Sequence, residues 1–433
     1  MKPITTAIFA LLMIPAFALA QINGNNDLES NWEFEGVFPD SSLMGALQGI
    51  TATPNDEVWV LHWNLDGRSQ FVVYDLHEGT ALDTIGSATA GGDTFEFPNN
   101  SGRGATVGPD GNVFASIGNR MIIFDYETRE AINWFFPDGD DAGPLTGPSV
   151  SDDGFILASF ILSANPIQIF DSELNQVNVV TAEKEGVSRY SVISPDGNWV
   201  FDFPLNEDDF SIRAWNSPFG PEGEYSLVSD NFGARLNVQS AAIDRKTNHL
   251  IVSAGDESGE RPHDPDFEGL TWYFLDYDNE EFVDYVSWQL NEDSDTSAVA
   301  PRGVTTSWDG EYILLASFDF GSEPSIQKFK RTELPTSADE LHVDRPEGYA
   351  LEQNYPNPFN PVTQITFTIP ESSMITLQVY DQLGRQVATL VNEGRSAGTY
   401  TEMFDASGLS SGMYIYRLEA NGHQLTRQMM LVK

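Results

Sequence analysis

Along the first three quarters of the chain the apolar positions recur in one order, six times over. A small-residue strand leads into a tight turn, a strongly apolar strand follows, and after a loop a further strand closes on an aromatic residue and Asp or a similar pair. The second copy reads "RGATVGPDGNVFASI" followed by "RMIIFDYETREAINWFF". The others are "QGITATPNDEVWVLHW" with "FVVYDL", "TGPSVSDDGFILASF" with "IQIFDS", "RYSVISPDGNWVFDF" with "SIRAWN", "SAAIDRKTNHLIVSA" with "LTWYFLDYD", and "RGVTTSWDGEYILLASF" with "SIQKFK". Asp-Gly at the turns supplies the positive-φ positions of a two-residue hairpin. The strand after each turn is apolar on consecutive positions, as at Ile313-Leu314-Leu315, the pattern of a strand covered on both faces.

Repeats of about 40 to 60 residues, each one four-stranded unit, predict an all-β fold: a six-bladed β-propeller over 21–333. Five copies are followed by an apolar fourth strand, such as Ala131 to Phe136 or Phe282 to Trp288, and the sixth is not. The unassigned strand "NWEFEGVF", Asn31 to Phe38, is expected to serve as that outer strand, closing the last blade and removing an open edge. Residues 334–353 are polar, contain Pro335 and Pro346, and read as a linker. After it the alternation becomes regular in "QITFTI", "MITLQVYD", "QVATLV", "TYTEMF", "MYIYRLEA" and "LTRQMMLV". That spacing predicts a small immunoglobulin-like β-sandwich over 354–433.

Met1, Lys2, the apolar run Ile4 to Ala20 and the small-x-small end Ala18-Leu19-Ala20 read as a signal peptide of residues 1–20. The run is short for a membrane span, and no later stretch approaches one, so the mature chain is expected to carry no transmembrane segment. Cysteine is absent, which excludes disulfides and thiolate metal sites. The net charge is −43, and residues 21–349 carry 58 acidic against 16 basic side chains. Such a field repels nucleic acid and anionic membranes, and dispersed acids with few lysines suit a protein working in salty water.

The last segment carries a specific motif series: "NYPNPFNPVTQITFTIP", "VYDQLGRQVATLV", "AGTY", "LSSGMYIYRL" and the terminal "MMLVK". In order and position it resembles the type A C-terminal sorting domain of the type IX secretion system, the export route of Bacteroidota and related phyla. Tyr355, Pro356, Asn357, Pro358, Phe359, Asn360, Pro361, Gly384, Gly412 and Lys433 carry the likeness. Phe404-Asp405 stands where that family often has Trp-Asp. The resemblance implies export across the outer membrane, the secretion translocon as partner, and a secreted or cell-surface location. Prolines 356, 358 and 361 fix φ and remove three backbone donors, so the hook is expected to stay out of both neighbouring sheets as a stiff separator. "SPDGNWVF" resembles WD-like repeats of periplasmic propellers, and "PRGVTTSWDGEYILLASF" is similar to lactonase-like propeller repeats; these imply architecture and leave activity open.

Candidate chemistry is sparse. Gly408-Leu409-Ser410-Ser411-Gly412 matches a hydrolase elbow but lacks the strand-to-helix context. His62, His77, His249, His263, His342 and His423 are dispersed, with no pair at metal or triad spacing. "DPDFEG", from Asp264, starts like a calcium loop, yet Leu275 occupies the place of the closing Glu. No cofactor or metal is expected. One pattern recurs: seven residues before the turn's Asp or Asn stand Gln48, Arg103, Arg189 and Arg302, with Thr146 in the third copy and Gln239 in the fifth. Around a ring, Arg103, Arg189 and Arg302 converge on a central channel. Forked donors there suit a carboxylate or phosphate; equally, each arginine pairs with a neighbouring acid and orders a loop. Two functions follow: a surface protein binding a glycan, protein or anionic small molecule on the channel face, or an exported hydrolase or lyase with the arginines as clamps.

Overall fold

A computed structural model describes residues 28–39, 46–139, 143–161, 165–182, 186–204, 211–218, 220–255, 266–289, 300–318, 325–332, 349–351, 353–354, 356–369, 373–381, 385–395, 398–420 and 423–433. The expected signal peptide and most of the expected linker lie outside them. The described chain is all-β, with no helix.

Six four-stranded antiparallel sheets occupy the described residues up to 332. Each opens on an inner strand: Leu47–Ala52, Gly102–Val107, Ser149–Val150, Ser188–Ile193, Ala241–Asp244 and Ala300–Thr306. Each inner strand lies against that of the next sheet, and Ala300–Thr306 returns to Leu47–Ala52. The sixth sheet takes its outer strand from the start of the described chain. Trp32–Val37 pairs antiparallel with Ile326–Arg331, in a register running from Trp32–Arg331 to Val37–Gln327.

The consecutive apolar runs have a direct cause. In Glu57–Leu65, Val58 and Val60 pack with Tyr312 and Leu314 of the sixth sheet, while Trp59 and Leu61 pack with Val113 and Ala115 of the second. A strand between two neighbours needs apolar side chains on both faces, so period-two alternation disappears. Aromatic residues fill these gaps in edge-to-face and tilted pairs, as where Trp59, Phe71 and Phe124 meet at centroid distances of 5.6 to 6.0 Å. A hairpin not expected from the repeat, Ser87–Ala90 with Asp93–Glu96, lies between the first and second sheets and adds Phe97 to their shared core.

The last residues form a three-stranded sheet (Ala350–Leu351, Val362–Ile369, Gly398–Asp405) and a four-stranded one (Gln386–Arg395, Ser373–Asp381, Gly412–Ala420, His423–Leu431) around one core. Two expectations are corrected here. Ala350–Leu351, assigned to the linker, pairs with Thr368 and Phe367, and Leu351 is buried: its apolar side chain belongs to the core it precedes. The hook is also no separator. Phe359 is buried, its N–H donates to Met430 and its carbonyl accepts from Val432, while Asn357 Oδ1 accepts from the Met430 N–H at 2.9 Å. Prolines block pairing only at their own nitrogens, and the residues between them pair with the terminal strand.

Candidate functional site

The recurring Arg/Gln position is a β-bulge. The pairing register slips at Gln48, at Arg103, across Arg189 and Tyr190, and at Arg302. A bulge re-aims one side chain and bends its strand, which gives these residues a shared position at the leading ends of the inner strands. The structure joins some of them. Arg302 is buried, and its Nη1 donates to Gln239 Oε1 and to the Pro301 carbonyl, each at 2.9 Å, with Phe318 5.2 Å beneath the guanidinium. Gln239 in turn donates to Asn237 Oδ1 at 3.0 Å. Arg103 and Arg189 are half-buried; burial lowers the Arg103 pKa, and its Nε is enclosed without a hydrogen-bond partner. Thr146 is buried in a hydroxyl chain, Thr146–Ser159–Ser191, that ends on Asp202. Asp202 is fully buried and accepts from Ser188 and Ser191 at 2.8 and 2.7 Å, holding both sides of the Arg189 bulge.

The residue after each bulge decides how the inner strands meet. It is glycine at 49, 104 and 303, and Gly147 holds the equivalent place after Thr146 in the third sheet, which has no bulge among its described residues. A Cβ on Gly104 would lie 2.6 Å from the Gly147 Cα, so only glycine permits this approach. In the fourth sheet the position is Tyr190, whose ring covers Gly147 and whose hydroxyl crosses the ring of strands. It donates to the Arg302 carbonyl at 3.0 Å and lies 3.3 Å from the Gln48 carbonyl. Burial pushes its phenol up to about 12. Tyr190 thus joins the inner strand of the fourth sheet to those of the first and sixth, and the arginine positions lie at the leading ends of these strands.

Towards the trailing ends lies a cavity of about 400 Å³ whose floor includes Tyr190. Its walls are small and β-branched residues of the inner strands, such as Thr51, Ala105 and Thr305. Its charged groups are Asp152, Arg245 and Lys246, and Trp308 stands at its edge, 42% exposed. Arg245 spans the mouth from the fifth sheet: Nη1 donates to Asp152 Oδ1 at 2.8 Å, and Nη2 to the Val107 and Val150 carbonyls at 3.1 Å. The arginine pattern did not point to this end. The sequence signal was Tyr190 standing where other copies have glycine.

The remaining expected groups have structural surroundings. His62 is buried and neutral, its pKa lowered to about 4 by desolvation. His77 is exposed, 3.5 Å from Asp56; His249 is half-buried at a strand start, with its pKa lowered by burial; and His423 stacks on Tyr349. His263, His342, Asp264, Tyr355 and Gly384 lie outside the described residues. Ser410 sits in a turn, where its carbonyl accepts from Tyr414 at 2.8 Å. Pro356, Asn357, Pro358 and Asn360 are exposed, Pro361 is half-buried, and Gly412 opens a strand. The Lys433 backbone N–H donates to Ser411 Oγ at 3.0 Å. Among the described residues no helix is long and apolar enough to cross a membrane.

Comparison with solved structures finds likenesses at low identity. A structure of PorZ, described as an essential surface component of the type-IX secretion system of Porphyromonas gingivalis, matches at 12% identity and TM-score 0.38 over 89% of this chain and 51% of its own. The chain therefore spans about half the length of that protein. A chain of the mitotic checkpoint complex matches at 12% identity and TM-score 0.45, over 76% of this chain and 100% of its own. The Cps50 (Swd1) β-propeller domain of Myceliophteria thermophila matches at 9% and 0.43, over 69% and 99%. No curated protein matches. The family model described as "Secretion system C-terminal sorting domain" matches residues 353–433, the unit that holds the hook, the paired sheets and the terminal lysine. Residues 353–433 are a C-terminal sorting domain of the type IX secretion system, and the chain that carries it is exported, to be secreted or held at the cell surface.

Proposed function

We propose that this exported protein is a closed six-bladed propeller that binds a ligand in its channel, displayed by way of an immunoglobulin-like sorting sandwich that engages the secretion translocon. The observation that carries the reading is the cavity of about 400 Å³ between the inner strands, floored by Tyr190. Its size falls in the usual range for small-molecule sites, roughly 300 to 1,000 Å³, and it combines small and β-branched wall residues with a few convergent charged groups. Six sheets whose inner strands touch in cyclic order, the sixth completed by Trp32–Val37, support closure. The ligand is placed on the cavity side of Tyr190. Arg302, Gln239, Gln48, Arg189 and Arg103 are assigned the ordering of the strand starts, since Arg302 is already spent on Gln239, a backbone carbonyl and Phe318.

Binding is favoured over catalysis by the ionisable groups at the cavity. Asp152 pairs with Arg245, Tyr190 stays a neutral phenol at ordinary pH, and the further charged group is the single lysine Lys246. A general acid or base needs a pKa near the working pH. The test is a calorimetric screen of glycans and anionic metabolites against the full chain at low and high salt, beside a Thr106→Phe variant that fills the cavity. Binding lost in the filled variant, with its melting midpoint retained, supports the reading. Absence of any ligand, or binding indifferent to Thr106→Phe, overturns it.

A further inference from the structure

The six turns that follow the inner strands are copies of one another. Each is closed by a backbone hydrogen bond from the fourth turn residue to the first: Asp56 to Thr53, Gly111 to Gly108, Gly154 to Ser151, Gly197 to Ser194, Thr247 to Asp244 and Gly310 to Ser307. The second position of such a turn favours proline, whose φ is already set. Three copies have it, at Pro54, Pro109 and Pro195. The third, fifth and sixth copies instead have Asp152, Arg245 and Trp308. These three side chains, one carboxylate, one guanidinium and one indole, all line the same cavity. A repeat that gives up its preferred turn residue in three copies, and gains three different chemistries around one mouth, has lost its symmetry at the cavity.

Resting on the channel-binding reading, we infer that the cavity mouth formed by Asp152, Arg245 and Trp308 is a binding site for a neutral saccharide. The C–H face of a sugar ring packs on an indole, and Trp308 presents one that is 42% exposed. Indole offers a large rigid apolar face with little conformational entropy to lose. Sugar hydroxyls both donate and accept. Asp152 and Arg245, paired at 2.8 Å and both partly exposed, supply acceptors and donors side by side. The pair carries no net charge, Lys246 adds a single positive charge to the lining, and the acidic field of the surrounding chain discourages anions. A cavity of about 400 Å³ accommodates one or two sugar rings.

The test is titration of the full chain with glucose, N-acetylglucosamine, cellobiose and maltose, with galacturonate and glucosamine as charged comparators, read by calorimetry and indole fluorescence. The expected result is binding of at least one neutral sugar with a shift in emission. Trp308→Ala should weaken it about tenfold, as loss of one aromatic contact implies, and Trp308→Phe should retain most of it. Asp152→Asn should weaken it, and Arg68→Gln, on the outer surface of the first sheet, should change nothing. Trp308 is an exposed turn residue, so the melting midpoints of its two variants should match the parent. Binding of only the charged compounds, or neutral-sugar binding indifferent to Trp308→Ala, overturns the inference. If no sugar binds while another ligand is displaced by Thr106→Phe, the saccharide inference falls and the channel reading stands. If neither occurs, both fall.

Discussion

Trp32 Nε1 donates to Asp284 Oδ2 at 3.0 Å, joining residues 252 positions apart and tying the closing strand to the sheet beside the one it completes. The same carboxylate accepts from the Asn31 N–H at 3.0 Å, and Trp32 stacks on Phe274 at 5.7 Å. The start of the described chain is thus held by its own sheet and by the fifth. Trp32→Phe should cost about 1 to 3 kcal/mol by leaving a buried acceptor unpaired. Trp32→Ala should cost about 3 to 5 kcal/mol. Chemical denaturation of each variant, with equal slopes required, checks both; a Trp32→Ala protein as stable as the parent would show that the strand does not hold the ring closed.

Beside this latch, Arg331 Nη2 meets Asp244 at 2.6 Å, both side chains buried, while Arg331 Nε donates to the Gly310 carbonyl. Removing one partner strands a charge in a low-dielectric site. Asp244→Asn and Arg331→Met should therefore each cost about 3 to 5 kcal/mol, and the double variant should cost less than the sum. A double-variant cycle that comes out additive would remove the pair from the account of sheet-to-sheet adhesion.

The channel floor makes a sharper test, because two glycines next to each other in the ring face different obstacles. A Cβ at Gly147 runs into the Tyr190 ring, whereas one at Gly104 runs into the backbone of Gly147. Gly147→Ala should cost about 1 to 3 kcal/mol, and Tyr190→Ala should recover a good part of that in the double variant. Gly104→Ala should be as damaging with Tyr190→Ala as without it, since backbone does not move aside. The comparison of the two cycles is the measurement, and equal coupling in both would contradict the geometry.

Much of this was legible from the chain. Consecutive apolar residues such as Val58, Trp59 and Val60 marked strands with a neighbouring sheet on each face, and the missing partner after Lys330 marked where Trp32–Val37 pairs. The arginines were found because they recur, and they recur where the second, fourth and sixth sheets bulge at the same place. Recurrence reports what six copies share. Tyr190, Asp152, Arg245 and Trp308 were missed for the opposite reason, being departures from the repeat. Phe359 was obscured by its flanking prolines, although its aromatic side chain belonged to a core.

Acid should weaken the fold through His62. Its folded pKa, about 4, lies below the ordinary value of 6.5 because burial disfavours the imidazolium. Between these values the unfolded chain binds the proton and the folded chain does not, so stability falls as pH drops from 6.5 towards 4, by up to about 1.4 kcal/mol per pH unit from this group. His249, also lowered by burial, adds in the same direction. His62→Gln should flatten part of that slope. Denaturation midpoints measured from pH 4 to 7 for parent and variant should diverge at the neutral end and converge towards acid; parallel curves would mean that His62 titrates normally.

The sorting domain offers its own test at the hook. Asn354 is buried, and its amide donates to the Pro356 carbonyl at 3.0 Å and to Thr363 Oγ1 at 2.9 Å, while its backbone N–H donates to the Tyr416 hydroxyl at 2.8 Å. It is the point where the hook is fastened to both sheets, through Thr363 on one and Tyr416 on the other. Asn354→Ala removes the two amide donors and should destabilise this domain by about 1 to 3 kcal/mol. Tyr416→Phe removes only the acceptor of the backbone bond and should cost less. Because the hook pairs with the terminal strand through Phe359, loosening it should expose residues 353–361 to protease before the propeller sheets are cut, and should lower the exported fraction of the chain. Export undiminished in an Asn354→Ala protein whose hook is demonstrably cut would show that the translocon reads the motif as an extended segment and not as part of a folded domain.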